Sequence, residues 1–234
     1  MTRFLNLPGA PILLPRVAGT ADPAAELRTA AQQAIRAVLP QRGRVIIITG
    51  STRTRRWRAD TPYDLGRLIG RTRVDQSPAA GPSIAKPGSD SLPLPLAVAR
   101  GLFDVELERL QLITIADAAD PVIERALDVD LDQDDLVVTV GDGSALGKPG
   151  GPDVVHPRAE EFDRSLTEAW QSGDPARLAE LDADLAAAVL SNGSSVWRLA
   201  ARIAGRQPEA VPYRCKINFS DAPFGVYYLI ASWS

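Results

Sequence analysis

The residues best placed to do chemistry follow a short apolar segment in the middle of the chain. Residues 136–140 (LVVTV) are mostly apolar and β-branched, which is typical of a strand that is buried on both faces. Glycines in the turn that follows allow backbone angles that other residues resist, and they leave backbone amides exposed. Because ligands of α/β sheets collect beyond the carboxyl ends of the strands, we expect a binding site here. Its candidate residues are Gly141, Asp142, Gly143, Ser144 and Ala145.

A strongly basic stretch follows a second apolar segment. Residues 45–49 (VIIIT) are predicted to form a strand that ends at Gly50 and Ser51, and residues 52–58 (TRTRRWR) come next. One interpretation is a solvated loop with its arginines in water. The other is a pocket for an anion, because guanidinium groups bind carboxylates and phosphates through paired hydrogen bonds. The second interpretation adds Ser51, Thr52 and Arg53 to the candidate pocket.

The single histidine, His156, restricts the chemistry that this chain can support. Mononuclear iron and catalytic zinc sites usually take two or three imidazoles, which this chain cannot supply alone. A hydrolase trio of Ser144, His156 and an aspartate is disfavoured, because no G-x-S-x-G turn surrounds the serine. A phosphate-binding loop ending at Lys148 is also disfavoured, because Asp142 stands where that motif needs glycine.

Strands that alternate with helices must position these residues. We predict strands at 45–49, 110–115, 136–140, 213–219 and 226–231, after an extended entry at 4–17. Helices are predicted from an Asp22-Pro23 cap to Val38, over 96–107, after Asp120-Pro121, and three times between 162 and 203. Asp174 is predicted to cap the second of those three and Ser194 the third. Residues 76–95 should form a long surface loop.

This pattern predicts an α/β fold over residues 1–234. We expect a single three-layer domain with a mixed central sheet and helices on both faces.

Composition excludes several classes of function. A net charge of −3 argues against binding to nucleic acid or to a membrane surface through bulk charge. No segment approaches the roughly 20 apolar residues that a membrane span requires. With a single cysteine and no leader-like segment at the N-terminus, we expect a cytoplasmic protein.

Three segments together resemble a known superfamily. They are PGAPILLPRVAG near the N-terminus, VVTVGDGSA with HPRAEEFD in the middle, and SDAPFGVYYLIASW at the end. Their order and spacing resemble the catalytic B subunit of class III extradiol ring-cleavage dioxygenases, above all the actinobacterial branch called B-subunit-like. GSTRTRRW after the second strand and LPLPLAVARGLFD before the third agree with this resemblance, which covers almost the whole chain.

The resemblance implies an iron site whose ligands are changed here. Members of the superfamily hold Fe(II) with two histidines and a glutamate, and a further histidine acts as acid and base. Carried over by position, the first ligand falls on Gly9, the second near Ser51 or Thr52, and the acid–base histidine on Ala145. The carboxylate ligand has no secure counterpart, and Asp221 is the candidate. Because none of the histidine positions holds histidine, we expect no Fe(II) and no metal-ligating residues.

The leading hypothesis is therefore a non-catalytic or repurposed homologue, a pseudoenzyme that binds a small anionic or aromatic ligand. One alternative is a divergent metal-dependent ring-opening dioxygenase that uses carboxylates such as Asp142, Asp153 and Asp221. Another is a structural subunit or a homo-oligomer, in which Trp57 or Trp233 lines an interface.

Overall fold

One mixed sheet of seven strands organises the residues that the structure describes. The computed structural model describes residues 1–63, 91–116, 131–147, 155–207 and 212–234. Four adjacent strands, β4, β2, β5 and β1, are parallel, whereas β3 and β7 run opposite to their neighbours. The strand order is β3-β4-β2-β5-β1-β7-β6. The strands are β1 Arg3–Leu7, β2 Val45–Gly50, β3 Arg55–Trp57, β4 Leu110–Ile115, β5 Leu136–Val140, β6 Cys215–Asp221 and β7 Tyr228–Trp233.

Seven helices in the described ranges accompany the sheet, with two short 3-10 turns at Pro11–Leu13 and Leu107–Arg109. Only three of the helices, α2, α4 and α7, are longer than ten residues. The helices are α1 Pro15–Ala18, α2 Ala25–Val38, α3 Leu94–Leu102, α4 Ala159–Gln171, α5 Pro175–Ala179, α6 Ala183–Ala188 and α7 Ser194–Gly205.

The helices form a layer on each face of the sheet. Along a strand, successive side chains point to opposite faces. Helices α2 and α3 pack with one set of strand residues that includes Leu5, Ile47 and Val138. Helices α4 to α7 pack with the alternate set, which includes Phe4 and Val137. The predicted three-layer α/β fold with a mixed sheet and helices on both faces is therefore confirmed.

The parallel strands end together and define one edge of the sheet, which we call the carboxyl edge. Leu7 of β1 and Thr49 of β2 both pair with Val140 of β5, and Gly50 pairs with Ile115 of β4. The segments that begin at Pro8, Ser51 and Gly141 therefore leave the sheet at this edge. The turn after β5, where a site was expected, therefore lies beside the segments that follow β1 and β2.

The predicted strands at 110–115 and 136–140 have the observed bounds, and β2 extends one residue beyond the predicted 45–49. Several other bounds were wrong. Asp22 does not cap α2; it has a positive φ of 37° and pairs with Arg28, and the helix begins at Ala25. The helix predicted over 96–107 ends at Leu102, and the last sheet strand runs to Trp233.

Helix caps account for two further corrections. Asp174 caps a helix as predicted, but a second cap at Asp182 divides the predicted single helix into α5 and α6. Each aspartate accepts a hydrogen bond from a backbone amide of the first turn of its helix. Helix α7 has Gly193 at its N-cap, and Ser194 is its first residue.

The basic stretch at 52–58 is not wholly a loop, because Arg55–Trp57 forms the edge strand β3. Trp233 is fully buried in the core, so its proposed place at an interface was wrong. Some predicted features lie outside the described residues. They are the helix after Asp120-Pro121, residues 76–90 of the predicted loop, Lys148 and Asp153. None of the helices in the described ranges is long and apolar enough to cross a membrane.

Candidate functional site

The turn after β5 is fixed in place by its own backbone. All five amides are hydrogen bonded within the protein, so the predicted exposed amides were wrong. The donors are Gly141 N to Leu7 O (3.1 Å), Asp142 N to Asn192 Oδ1 (2.6 Å), Gly143 N to Tyr227 O (2.8 Å), Ser144 N to Asp163 Oδ1 (2.8 Å) and Ala145 N to Val189 O (3.0 Å). The turn therefore acts as a framework, and a ligand must bind through other groups.

The glycines of this turn serve close packing and not unusual backbone angles. Neither Gly141 nor Gly143 has a positive φ. A Cβ atom at Gly141 would lie 2.5 Å from Gly193 Cα, and one at Gly143 would lie 2.7 Å from Asp163 Oδ1. At Gly141 the obstacle is the backbone of Gly193, whereas at Gly143 the side chains of Asp163 and Tyr227 would have to shift. The glycines let α7 and α4 approach the end of β5.

Asp142 joins three segments at the carboxyl edge. Its Oδ1 accepts a hydrogen bond from the Gly9 amide (3.0 Å), and its Oδ2 accepts one from Asn192 Nδ2 (3.1 Å). Ser191 Oγ donates to the Asp142 carbonyl (2.8 Å). We call Gly9, Asp142, Ser191 and Asn192 the Asp142 junction. It ties the segment after β1 and the residues before α7 to the end of β5.

Burial raises the pKa of the Asp142 carboxyl above its ordinary value. The hydrogen bonds from Asn192 and Gly9 act in the opposite direction, but desolvation of the charged form is the larger effect. The pKa of Tyr228 rises to about 12, chiefly because of burial and also because of the nearby Asp142 charge. Desolvation at the junction therefore makes the charged form of this carboxyl less favourable than it is in an exposed aspartate.

Ser144 is held by a carboxylate and not by the histidine. Its hydroxyl donates to Asp163 Oδ2 at 2.5 Å, and the serine is fully buried. His156 lies just before α4, where its Nδ1 accepts a hydrogen bond from the Arg158 amide (3.2 Å). Ser144 and Asp163 thus link the β5 turn to α4, and the hydrolase trio is not assembled among these residues.

The first turn of α7 lies over the ends of β2 and β5. A Cβ atom at Gly50 would lie 3.1 Å from Ser195 Oγ and 3.2 Å from the Asn192 carbonyl. Ser194 and Ser195 are half-buried, and the glycine at the N-cap has no side chain with which to cap the helix. The first amides of an α-helix have no partner within the helix and carry partial positive charge. This turn therefore offers both amides and hydroxyls to a ligand.

The loop after β2 begins beside the first turn of α7. Ser51 N donates to the Ile115 carbonyl (2.7 Å), which ties the start of the loop to the end of β4. Ser51, Thr52 and Arg53 are exposed. The anion-pocket interpretation of this loop stays a prediction.

Asp221 is exposed at the end of the edge strand β6, three strands from β5 in the sheet order. It pairs with Tyr228 of β7, and the neighbouring Tyr227 is hydrogen bonded through its backbone to Gly143 and Ser144 of the β5 turn. The place of Asp221 in one site with Asp142 stays a prediction.

The residues present do not fit the iron centre that the resemblance implies. A Cβ atom at Gly9 would lie 3.3 Å from Pro95 Cβ and 3.5 Å from Asp142 Oδ2, so a proline and a carboxylate line the space where the first ligand would begin. Ala145 offers no side-chain donor. Within the described ranges, no three His, Cys, Asp or Glu side chains are grouped so that they could hold a metal ion.

Sequence reasoning missed four residues of this region. Asn192, Ser195, Asp163 and Asn6 hold or form the carboxyl edge, although three of them are far from residues 141–145 in the sequence. One signal was readable for Asn6: a polar residue in the middle of the otherwise apolar FLNL segment. The other three had none, because their roles depend on how the helices pack.

Comparison with known protein families and with curated protein sequences found no match for this chain.

Proposed function

We propose that this protein binds a small anionic ligand at the first turn of α7, over the carboxyl ends of β2 and β5. We further propose that it is a divergent relative of the extradiol dioxygenase superfamily that lacks the iron chemistry. The observation that carries the ligand proposal is the position of Ser195. Its hydroxyl lies at the end of β2, in the first turn of a twelve-residue helix whose N-cap is glycine.

Electrostatics support an anion at this position. The amino-terminal end of a helix carries about half a positive charge and presents backbone amides, so phosphates and carboxylates bind there readily. Arg53 follows Ser51 by two residues in an exposed loop at the same edge. Both carboxylate oxygens of Asp142 already accept hydrogen bonds, one from the Gly9 amide and one from Asn192 Nδ2.

The aromatic part of the leading hypothesis comes from the resemblance alone. Extradiol enzymes act on catechols, so aromatic carboxylates belong in any screen beside inorganic phosphate. The alternative of a carboxylate-based metal enzyme has weaker support, because Asp142 and Asp221 are at different strand ends and Asp142 already accepts two hydrogen bonds.

The test is thermal unfolding with inorganic phosphate and a panel of aromatic carboxylates, followed by calorimetric titration. A ligand at 100 times its Kd stabilises the native state by about 2.7 kcal/mol. For 234 residues this corresponds to a rise in Tm of about 5 °C.

Ser195→Asp is the informative variant. A carboxylate in the first turn stabilises a helix, so the variant without ligand should unfold at the same temperature or higher. It should lose the shift with ligand, because its own carboxylate occupies the position of the anion. Ser165→Asp, on the exposed side of α4, changes the net charge equally and should keep the shift. An undiminished shift in Ser195→Asp, or no shift across the whole panel in the wild type, would refute the proposal.

A further inference from the structure

A buried hydrogen-bond cluster lies beneath the proposed site. Asn6, the fourth of the five residues of the inner strand β1, is fully buried. Its Oδ1 accepts hydrogen bonds from Trp197 Nε1 (2.7 Å) and from Thr139 Oγ1 (2.9 Å). Its Nδ2 donates to the Leu229 carbonyl of β7 (2.7 Å). One side chain thus connects β1, β5, β7 and α7.

Trp197 links this cluster to the residues at the carboxyl edge. A Cβ atom at Gly193 would lie 2.1 Å from Trp197 Cζ2, and one at Gly141 would lie 3.3 Å from the same atom. The indole ring therefore packs directly against the backbone of the α7 N-cap and close to the end of β5. Any tilt of the ring must move these two backbone segments, because their glycines leave no side chain to absorb the change.

A polar side chain at the centre of a sheet calls for an explanation. Burying an amide without its hydrogen bonds is costly, and even a fully hydrogen-bonded amide adds little net stability. What asparagine adds is an acceptor that orients the Trp197 ring, because the indole N–H must point at Asn6 Oδ1.

We infer that Asn6 is a positioning residue of the proposed ligand site. Acting through Trp197, it sets the position of Gly193 and of the first turn of α7 against the ends of β1 and β5. The predicted effect on binding rests on the proposed function. The positioning of the first turn of α7 can be measured without any ligand.

The experiment compares three variants of the full chain. Trp197→Phe removes the indole donor, and Asn6→Leu removes the acceptor. Thr139→Val is the matched control, because it removes the other donor to Asn6 Oδ1 and leaves the bond between Asn6 and Trp197. Since Asn6→Leu also leaves the Leu229 carbonyl without its donor, Trp197→Phe is the decisive variant if Asn6→Leu does not fold.

The first readout is hydrogen exchange of two amides that report on the site. The Asp142 amide donates to Asn192 Oδ1, and the Trp197 amide donates to the Gly193 carbonyl (3.0 Å). In denaturant concentrations that equalise global stability, both should exchange at least tenfold faster in Trp197→Phe than in Thr139→Val. Equal exchange rates in the two variants would overturn the inference, whatever the binding results are.

The second readout is the affinity for inorganic phosphate. We expect at least a tenfold loss in Trp197→Phe and a change within twofold in Thr139→Val. If the wild type binds none of the probes, the proposed function fails, and the exchange rates alone still decide the positioning role. If phosphate binds and its affinity falls equally in both variants, the specific route through Trp197 is refuted.

Discussion

Replacing Trp197 with phenylalanine should destabilise the protein by about 2 kcal/mol more than the same replacement at Trp170. Both tryptophans are fully buried, and both pack in the core layer formed by α4 to α7. They differ in one respect. Trp197 Nε1 donates to Asn6 Oδ1, whereas Trp170 Nε1 is buried without a hydrogen-bond partner among the described residues.

The expected difference follows from hydrogen-bond energies. Each substitution removes the same part of an indole ring, so the loss of apolar contact is similar at the two sites. At Trp197 the change also removes a buried hydrogen bond worth about 1 kcal/mol. At Trp170 it removes an unsatisfied N–H, whose burial costs about 1–3 kcal/mol, so part of the packing loss is offset. Together the two effects predict a difference in the free energy of unfolding of about 2–4 kcal/mol. Because Asn6 Oδ1 keeps its hydrogen bond from Thr139, we expect the lower value, about 2 kcal/mol.

Urea unfolding of the two variants and the wild type measures this difference. The slope of the free energy against urea concentration should be the same in all three, so that midpoints report stability directly. In thermal unfolding, a difference of about 2 kcal/mol corresponds to about 4 °C for a chain of 234 residues. Equal losses at the two sites, or a larger loss at Trp170, would refute the reasoning.

Four further predictions test other parts of the structure. Leu190 has a positive φ of 58°, which strains the backbone of a leucine, and its side chain is 59% exposed. Asparagine adopts this conformation more easily, so Leu190→Asn should raise the free energy of unfolding in urea by about 1 kcal/mol. A loss of stability would show that the leucine side chain makes a contact that outweighs the strain. Burial raises the pKa of Asp142 in the folded state, so its stabilising contribution is complete below the ordinary pKa and is lost as the pH rises through the folded pKa. The stability of Asp142→Asn relative to the wild type should therefore increase from about pH 4 to about pH 8, and a flat difference would contradict the raised pKa. The buried Asp135 carboxylate pairs with Arg44, so Arg44→Met should lower the free energy of unfolding in urea by about 3 kcal/mol. A loss below about 1 kcal/mol would mean that the backbone amides of Arg44 and Asp132 are enough to stabilise this carboxylate. After anaerobic incubation with Fe(II) and desalting, plasma mass spectrometry should find far less than one iron per chain, and near-stoichiometric iron would show that the assignment of ligand positions is wrong.

Much of the fold could be predicted from local patterns. The segments at 45–50, 110–115 and 136–140 are short, apolar and β-branched, and a strand buried on both faces is the structure that such segments favour. Asp174 before a proline was recognisable as a helix cap, because the capping bond is made within three residues. Asp22 before Pro23 has the same form but does not cap α2: its carboxylate pairs with Arg28 and the helix begins at Ala25. The same local signal therefore had two different outcomes.

The location of the candidate site was also readable, whereas its composition was not. The sequence analysis expected a site beyond the carboxyl end of the 136–140 strand, and the structure adds that the parallel strands ending at Leu7, Gly50 and Val140 bring Gly9 and Ser51 to the same edge. The glycines at 141 and 143 suggested open amides. The structure shows bound amides, because α7 and α4 approach the turn closely.

The sequence by itself therefore determined most strand and helix segments of the α/β fold, the strand end at which a site was expected, and a supply of only one histidine for any chemistry. Only the tertiary structure decided that Asp142 is tied to Gly9 and Asn192, and that the first turn of α7 lies over β2. The physical reason is distance along the chain. Local propensities and caps act over a few residues, whereas the contacts between Asp142 and Asn192 and between Asn6 and Trp197 span 50 and 191 residues. Such contacts exist only after the helix layers have packed on the sheet.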